Sequence, residues 1–116
     1  MNRKIFENRR EQARQIMCNR KLGALLISLP ANRYYLSGFE LHDPQFNESA
    51  GRLVITADGR DWLATDARYL DAAARIWDRE RIFIYGAGAA LDLYGLLRRC
   101  GSRIGLEYQG ISMAFA

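Results

Sequence analysis

The densest group of polar residues in the sequence surrounds its single histidine. The group consists of Glu40, His42, Asp43 and Glu48. Carboxylate oxygens and an imidazole nitrogen are groups that divalent metals accept as ligands. However, no two of these residues are four positions apart, the spacing that brings two ligands together on one face of a helix. The spacing therefore gives no support to a metal site in this segment.

Nucleophilic catalysis and zinc binding need residue patterns that this chain lacks. One histidine is too few for most nucleophile–base triads and histidine-rich metal sites. Cys18 and Cys100 are far apart in the sequence and form no Cys-x-x-Cys motif. We therefore predict no catalytic residue, no metal ligand and no cofactor in this chain, and we expect both cysteines to be packing residues.

A pair of glycines is the only pattern that resembles a phosphate-binding turn. Gly86 and Gly88 follow a predicted strand and open a predicted helix. Leu91 stands where a dinucleotide-binding motif has its third glycine or alanine. We therefore interpret this segment as a flexible connection from strand to helix.

Residues 40–51 are predicted to form a long polar loop, because the segment contains Pro44 and ends at Gly51. Loops on rigid scaffolds often carry recognition. This one combines aromatic rings with carboxylates and an imidazole, a mixture suited to contact with a polar ligand or a neighbouring subunit. The residues that we expect to make such contacts are Phe39, Glu40, His42, Asp43 and Phe46.

The elements that must position this loop can be inferred from hydrophobic periodicity. Residues 4–20 lack Gly and Pro and place apolar side chains on one face, which predicts a covering helix. The apolar run at residues 24–29 predicts a strand buried on both faces, and residues 31–36 predict one helical turn. Residues 52–56 and 61–65 predict a hairpin, in which the Asp-Gly pair forms a tight type I′ turn.

The second half of the sequence predicts two further helices and two further strands. Asp66 caps a helix whose apolar face runs from residue 69 to residue 77, and a second helix ends near Gly101. Residues 82–85 and 103–107 predict short strands. This order predicts an α/β fold, with one mixed β-sheet and helices on both of its faces.

The basic residues of the chain are concentrated at its start. Residues 1–21 contain seven Lys or Arg and two Glu, and the remaining residues contain ten basic and eleven acidic side chains. The interleaving of charges in the first helix predicts a solvated face, and so we expect neither a nucleic acid nor a membrane as a partner. A small nucleic-acid-binding protein remains an alternative that rests on this helix alone. The start lacks the apolar run of a signal peptide, which predicts a cytoplasmic location.

A series of short motifs, taken in order along the chain, resembles one known family. The motifs are LGALLIS at residues 22–28, N-x-x-YLSGF at 32–39, TADGR at 56–60, TDARY at 65–69 and IGLE at 104–107. Together they resemble the N-terminal domain of the creatinase, prolidase and Xaa-Pro aminopeptidase family. The resemblance covers nearly the whole chain. We assign structural roles to four of the motif residues: Asn32 in a turn, Gly38 at an unusual dihedral, Asp66 as a cap and Arg68 beside a carboxylate.

The resemblance implies that residues 1–116 are one domain with a ribonuclease H-like layout. In the family, a larger pita-bread catalytic domain follows, and it would be absent from this chain. The peptidase members of the family hold two divalent metal ions, Mn, Co or Zn, in that second domain. The resemblance therefore implies a non-catalytic domain whose partners are its own C-terminal catalytic domain and a proline-containing peptide substrate, and we expect the isolated domain to be inactive.

The family's N-terminal domain usually mediates dimer formation, which implies a homodimer of the full-length protein. By this resemblance, the loop after YLSGF can reach the active-site mouth of the partner subunit. There His42, with its neighbours Glu40, Asp43 and Phe46, would help to recognise the amino end of the substrate or to close its pocket. Two alternatives remain open. In the first, the chain is a stand-alone module that binds peptides or proteins. In the second, it is the N-terminal domain of a creatinase-like hydrolase.

Overall fold

The computed structural model describes residues 3–39, 51–85 and 89–106. Its helices are α1 (Arg3–Asn19), α2 (Pro30–Ser37), α3 (Leu70–Ala74) and α4 (Ala89–Cys100). Its strands are β1 (Ala24–Ile27), β2 (Gly51–Thr56), β3 (Trp62–Thr65), β4 (Ile82–Ile84) and β5 (Ile104–Leu106). Short 3₁₀ turns precede α3 at Ala67–Tyr69 and β4 at Arg79–Arg81.

The five described strands form one mixed sheet in the order β4-β3-β2-β1-β5. The three central strands are antiparallel, with Leu25 opposite Ile55 and Leu53 opposite Leu63. Each outer strand is parallel to its neighbour, β4 to β3 and β5 to β1. The predicted mixed sheet is confirmed. The parallel pair β3–β4 is joined through α3, whereas β5 follows β4 through α4 and pairs with β1.

Helices cover both faces of the sheet, as predicted. One face packs against α1, α2 and α3, and its core contains Met17, Leu25, Leu36, Leu53 and Trp77. The other face packs against α4, and its core contains Ala24, Val54, Leu96 and Leu97. Consecutive residues of β1 therefore point into different cores. This explains why the sequence of β1 is apolar throughout.

The turn between β2 and β3 differs from the predicted two-residue type I′ turn. The strands end at Thr56 and begin again at Trp62, which leaves a longer connection. The carboxylate of Asp58 accepts hydrogen bonds from the Thr56 hydroxyl at 2.6 Å and from the Arg60 N–H at 3.0 Å. These local bonds replace strand pairing near the tip. Gly59 has a φ of 84°, so the Asp-Gly pair does supply the left-handed residue that the turn needs.

The helix predicted after Asp66 is shorter than its apolar face indicated. Asp66 caps a 3₁₀ turn by accepting a hydrogen bond from the Arg68 N–H at 2.9 Å, and the following α3 has only five residues. The chain then continues as a turn in which the Trp77 N–H donates to the Ala73 carbonyl at 2.9 Å. The apolar spacing therefore reflects the burial of these side chains in one core rather than one continuous helix.

The two cysteines have different environments. Cys18 is exposed on α1, so the prediction that it is a packing residue is wrong. Its position falls on the outer face of α1, whose inward face carries Ala13 and Met17. Cys100 is half-buried against the second core, as predicted, and its Sγ lies 3.3 Å from the Leu96 carbonyl.

Two glycines allow the start of β1 to approach the end of α4. A Cβ atom at Gly23 would lie 2.9 Å from the Cys100 carbonyl oxygen and 3.0 Å from the Cα of Gly101. Gly101 has a φ of 156°, and a Cβ atom at this position would lie 3.0 Å from the Cα of Gly23. This close approach positions α4 over the sheet. None of the helices in the three described ranges has the length and apolar content needed to cross a membrane.

We predict that Gly23→Ala lowers the free energy of unfolding by about 1–3 kcal/mol, because the added methyl group would meet backbone atoms that cannot move independently. Gly95→Ala is the matched control, since Gly95 lies in α4 and a Cβ atom there meets nothing within 4 Å. We expect this control to raise the free energy of unfolding by about 0.5–1 kcal/mol. Urea unfolding measures both changes. Equal effects of the two substitutions would contradict the close approach.

Candidate functional site

One end of the sheet gathers the termini of several strands. Gly51, the first residue of β2, pairs with Thr65, the last residue of β3. Thr65 in turn pairs with Ile84 at the end of β4. We call this end, where the parallel strands finish, the carboxyl edge. Ligand sites of α/β sheets commonly lie outside this edge, because the connecting loops meet there.

Arg33 is the central residue of the carboxyl edge. It lies in α2, which begins with Pro30 and ends at Ser37, and Gly38 follows as a left-handed C-cap with a φ of 77°. The side chain of Arg33 is only 1% exposed. Its Nε donates to the Phe39 carbonyl at 3.4 Å and its Nη1 donates to the Gly51 carbonyl at 3.3 Å. Arg33 therefore joins the residue that precedes segment 40–50 to the residue that follows it.

Phe39 is the one predicted contact residue that the structure describes. It is 2% exposed and lies in the first core, with the Arg33 guanidinium 5.7 Å from its ring centroid. Its N–H donates to the Ser37 hydroxyl at 3.0 Å, and that hydroxyl donates to the Arg33 carbonyl at 2.6 Å. The other predicted contact residues, Glu40, His42, Asp43 and Phe46, lie outside the described residues, and their contacts stay a prediction.

Gly51 leaves the space that the Arg33 side chain occupies. A Cβ atom at Gly51 would lie 3.1 Å from Nη1 of Arg33, 3.3 Å from its Cδ and 3.4 Å from the Phe39 ring. The Gly51 carbonyl also accepts a hydrogen bond from Arg52 at 3.0 Å. The glycine at this position therefore permits a buried guanidinium to bond to the backbone on both sides of segment 40–50.

An exposed ion pair and a buried phenol lie at the same edge. Arg68 donates to the Asp66 carboxylate at 2.7 Å, and this hydrogen bond lowers the pKa of Asp66. Tyr85 is buried, and desolvation raises the pKa of its phenol, with Arg52, Asp66, Arg33 and Arg68 among the charges that act on it. The phenol therefore remains neutral at physiological pH.

The structural roles assigned to three motif residues are confirmed. Gly38 has the unusual dihedral, Asp66 caps the turn and Arg68 pairs with a carboxylate. The buried Arg33 was missed. Its position between Asn32 and two tyrosines of the N-x-x-YLSGF motif was the one signal for its burial. An arginine is normally expected to be exposed, so its burial was not predicted.

A second polar cluster lies on the α1 side of the sheet. Asp61 is 8% exposed, and its two carboxylate oxygens accept from Arg14 at 2.7 Å and 3.1 Å. Arg10 lies 3.3 Å from the same carboxylate and 4.6 Å from the Trp77 ring centroid. The Thr56 N–H donates to Asp61 at 2.9 Å. The cluster fastens α1 to the turn between β2 and β3, and a cleft of about 370 Å³ opens beside it.

The described residues do not fit a metal site. Within the three ranges that the structure covers, no three His, Cys, Asp or Glu side chains come together as a group that could hold a metal ion. The carboxylates of Asp61 and Asp66 are instead bound to arginines. No chemical step through a metal can be derived from these residues.

Comparison with known proteins finds one family over most of the chain. A family model described as the Creatinase/Prolidase N-terminal domain matches residues 9–116. No curated protein matches the chain significantly.

Solved structures resemble the chain over most of its length. An Xaa-Pro aminopeptidase from Streptococcus pyogenes is 27% identical with a TM-score of 0.70, and the match covers 96% of this chain and 79% of that one. The N-terminal domain of the cytoplasmic peptidase PepQ from Mycobacterium tuberculosis H37Rv is 26% identical with a TM-score of 0.59, over 86% of this chain and 91% of that one. An Xaa-Pro dipeptidase from Bacillus anthracis shares the fold at 17% identity, with a TM-score of 0.75, over 94% of this chain and 29% of that one.

We predict that Arg33→Met lowers the free energy of unfolding by about 1–3 kcal/mol, because the buried Phe39 carbonyl loses its donor. The control is Arg68→Met, which breaks an ion pair whose arginine side chain is 56% exposed. We expect this control to cost less than about 1 kcal/mol. Thermal and urea unfolding of both variants measure the difference. If the two substitutions cost the same, Arg33 does not brace the carboxyl edge.

The lowered pKa of Asp66 predicts a pH dependence that Arg68→Met removes. A carboxylate whose pKa is lower in the folded state stabilises the fold above its unfolded pKa, and the contribution is lost as pH falls through the folded pKa. We expect the wild type to be more stable than Arg68→Met at neutral pH. The difference should shrink as pH falls below about 4. Urea unfolding over a pH series measures it, and a difference that is undiminished in acid would contradict the assignment.

Proposed function

The chain belongs to the Creatinase/Prolidase N-terminal domain family, and we propose that it is the non-catalytic domain of a metal-dependent Xaa-Pro aminopeptidase or dipeptidase. The family match over residues 9–116 supports this proposal, as does the 27% identity to a streptococcal protein described as an Xaa-Pro aminopeptidase. In this proposal, peptide cleavage and the two divalent metal ions, Mn, Co or Zn, belong to a further C-terminal domain. The Bacillus dipeptidase, of which this chain spans 29%, offers a precedent for such a longer chain.

The polar contacts of the described residues support a positioning role. The Asp61 carboxylate is bound to Arg10 and Arg14, which joins α1 to the sheet. Arg33 joins α2 to the first residue of β2. In both clusters the charged groups bind other residues of the same chain. Such contacts hold helices and strands in place, as in a structural scaffold.

The brace made by Arg33 is the observation that carries the proposal for segment 40–50. Its hydrogen bonds to the Phe39 and Gly51 carbonyls hold the two residues that flank the segment. We propose that in a homodimer this segment reaches the active-site mouth of the partner subunit. Two of its carboxylates, Glu40 and Asp43, would pair with the protonated amino end of a proline-containing peptide.

The proposed location is the cytoplasm. The relative from Mycobacterium tuberculosis is described as a cytoplasmic peptidase, and it is 26% identical to this chain. A reduced compartment is also consistent with the free thiols of Cys18 and Cys100.

The test compares this chain with the complete product of its gene, read beyond codon 116. We expect the complete product to be a dimer that hydrolyses Xaa-Pro peptides when manganese or cobalt is supplied. Residues 1–116 alone should give no hydrolysis under the same conditions. In the complete product, Glu40→Gln with Asp43→Asn should raise KM several-fold with little change in kcat, because these residues are proposed to bind substrate and not to break bonds.

The matched control for the double variant is Glu80→Gln with Asp92→Asn, which removes two exposed carboxylates elsewhere. This control should leave KM unchanged. Hydrolysis by residues 1–116 freed of contaminating peptidase would contradict the proposal that the domain is non-catalytic. A gene that ends near codon 116 would favour the alternative, a stand-alone binding module. A double variant with an unchanged KM would exclude the proposed role of segment 40–50 in substrate access.

A further inference from the structure

A second pocket lies at the opposite end of the sheet from the carboxyl edge. It has a volume of about 310 Å³ and lies between the turn that joins β2 to β3, the 3₁₀ turn before β4 and the end of α4. We call it the amino-edge pocket. The side chains that matter for its chemistry are those of Asp58, Arg60, Trp62, Arg81, Arg99 and Cys100.

Three arginines from three separate segments line this pocket. Arg60, Arg81 and Arg99 take no part in the ion pairs found within residues 3–39, 51–85 and 89–106. The one carboxylate in the pocket is that of Asp58, and it accepts from the Thr56 hydroxyl and the Arg60 N–H. The pocket therefore has an excess of positive charge. Like charges gathered in one concave site repel one another, and a bound anion relieves this repulsion.

The geometry of Arg81 is preorganised for an acceptor. Its guanidinium lies 3.9 Å from the Trp62 ring centroid, which fixes the plane of the group. One of its nitrogens donates to the Arg60 carbonyl at 2.6 Å. Its Nε is buried and has no hydrogen-bond partner in the part of the chain that the structure describes. A buried donor without an acceptor is unfavourable, and a group that accepts a hydrogen bond from Arg81, which lines this pocket, would remove that cost.

Two features at the end of α4 affect the charge of the pocket in opposite ways. The carboxyl end of a helix carries roughly half a negative charge, which disfavours an anion. This partial negative charge of the helix end is smaller than the summed positive charge of the three guanidinium groups. Cys100 adds no negative charge, because burial raises the pKa of its thiol. The net charge of the amino-edge pocket therefore remains positive.

We propose that the amino-edge pocket binds a compact oxyanion of the phosphate class, either inorganic phosphate or the phosphate group of a small metabolite. The planar fork of an arginine matches the oxygens of such a group, and Arg81 and Arg99 line the pocket from different elements. The volume is at the lower limit of small-molecule pockets, which suits a phosphate or a small phosphate ester rather than a polymer. This site does not depend on the proposed function, because it lies at the other end of the sheet.

The test is a titration of the isotopically labelled chain with inorganic phosphate, followed by NMR at neutral pH and constant ionic strength. We expect saturable shifts of the Trp62 indole N–H and of the amides of Gly23 and Arg60. Arg81→Gln and Arg99→Gln should each weaken binding by roughly tenfold, the effect of losing one hydrogen bond to a charged group. A parallel titration with glycerol 3-phosphate distinguishes the sources. Tighter binding of the ester identifies a metabolite, and equal or weaker binding identifies the free anion.

Arg98→Gln is the matched control, because it removes the same charge from the neighbouring position of α4. The guanidinium of Arg98 lies 5.6 Å from the Tyr94 ring centroid, and Arg98 is not among the residues that line the amino-edge pocket. This variant should bind phosphate as the wild type does. Arg99 is exposed, so Arg99→Gln should stay folded even if the loss of Arg81 destabilises the chain. The proposal is overturned if phosphate gives no saturable shifts, or if Arg98→Gln weakens binding as much as Arg99→Gln.

Discussion

The ionic contact between Asp61 and two arginines of α1 is the interaction on which the rest of the fold depends. A buried carboxylate is costly unless it is paired and hydrogen-bonded, and Asp61 meets this requirement only when Arg10 and Arg14 are beside it. This places α1 at one position and one rotation. In that position, Ala13 and Met17 face the sheet and close the first core. Because β2 and β3 are joined by the turn that carries Asp61, the same contact holds the central strands against the helix layer.

The architecture could be predicted from the sequence because the lengths and spacings of its apolar segments distinguish most of the helices from the strands. The alternate burial of Ala24 and Leu25 in two different cores is the physical cause of the unbroken apolar run in β1. The details that were missed depend on competition between local hydrogen bonds. Asp58 bonds to Thr56 and widens the turn, and the Asp66 cap starts a 3₁₀ turn that shortens α3. Periodicity contains no information about such contacts.

The candidate site could be predicted only in part. The order of the motifs indicated the family that the comparisons confirmed, whereas the recognition role of residues 39–46 stays a prediction. The motifs and the composition did not indicate that Arg33 is buried between Phe39 and Gly51, since a charged residue is normally expected at the surface. Its burial depends on Gly51, which is distant in sequence and leaves the required space. Contacts of this kind arise from tertiary packing, and a single sequence does not display them.

The arrangement of strands has a consequence for the order in which the chain assembles. The pairs between β1, β2 and β3 join segments that are separated by short or moderate lengths of chain, whereas Ala24 of β1 pairs with Ile104 of β5 from almost the other end of the molecule. Closing so long a loop has a larger entropic cost, which is recovered only when the pair has formed. We therefore expect the antiparallel strands β1, β2 and β3 to pair first and β5 to add later to the edge that β1 provides. Until then, the outer side of β1 is an unpaired edge open to pairing with other chains.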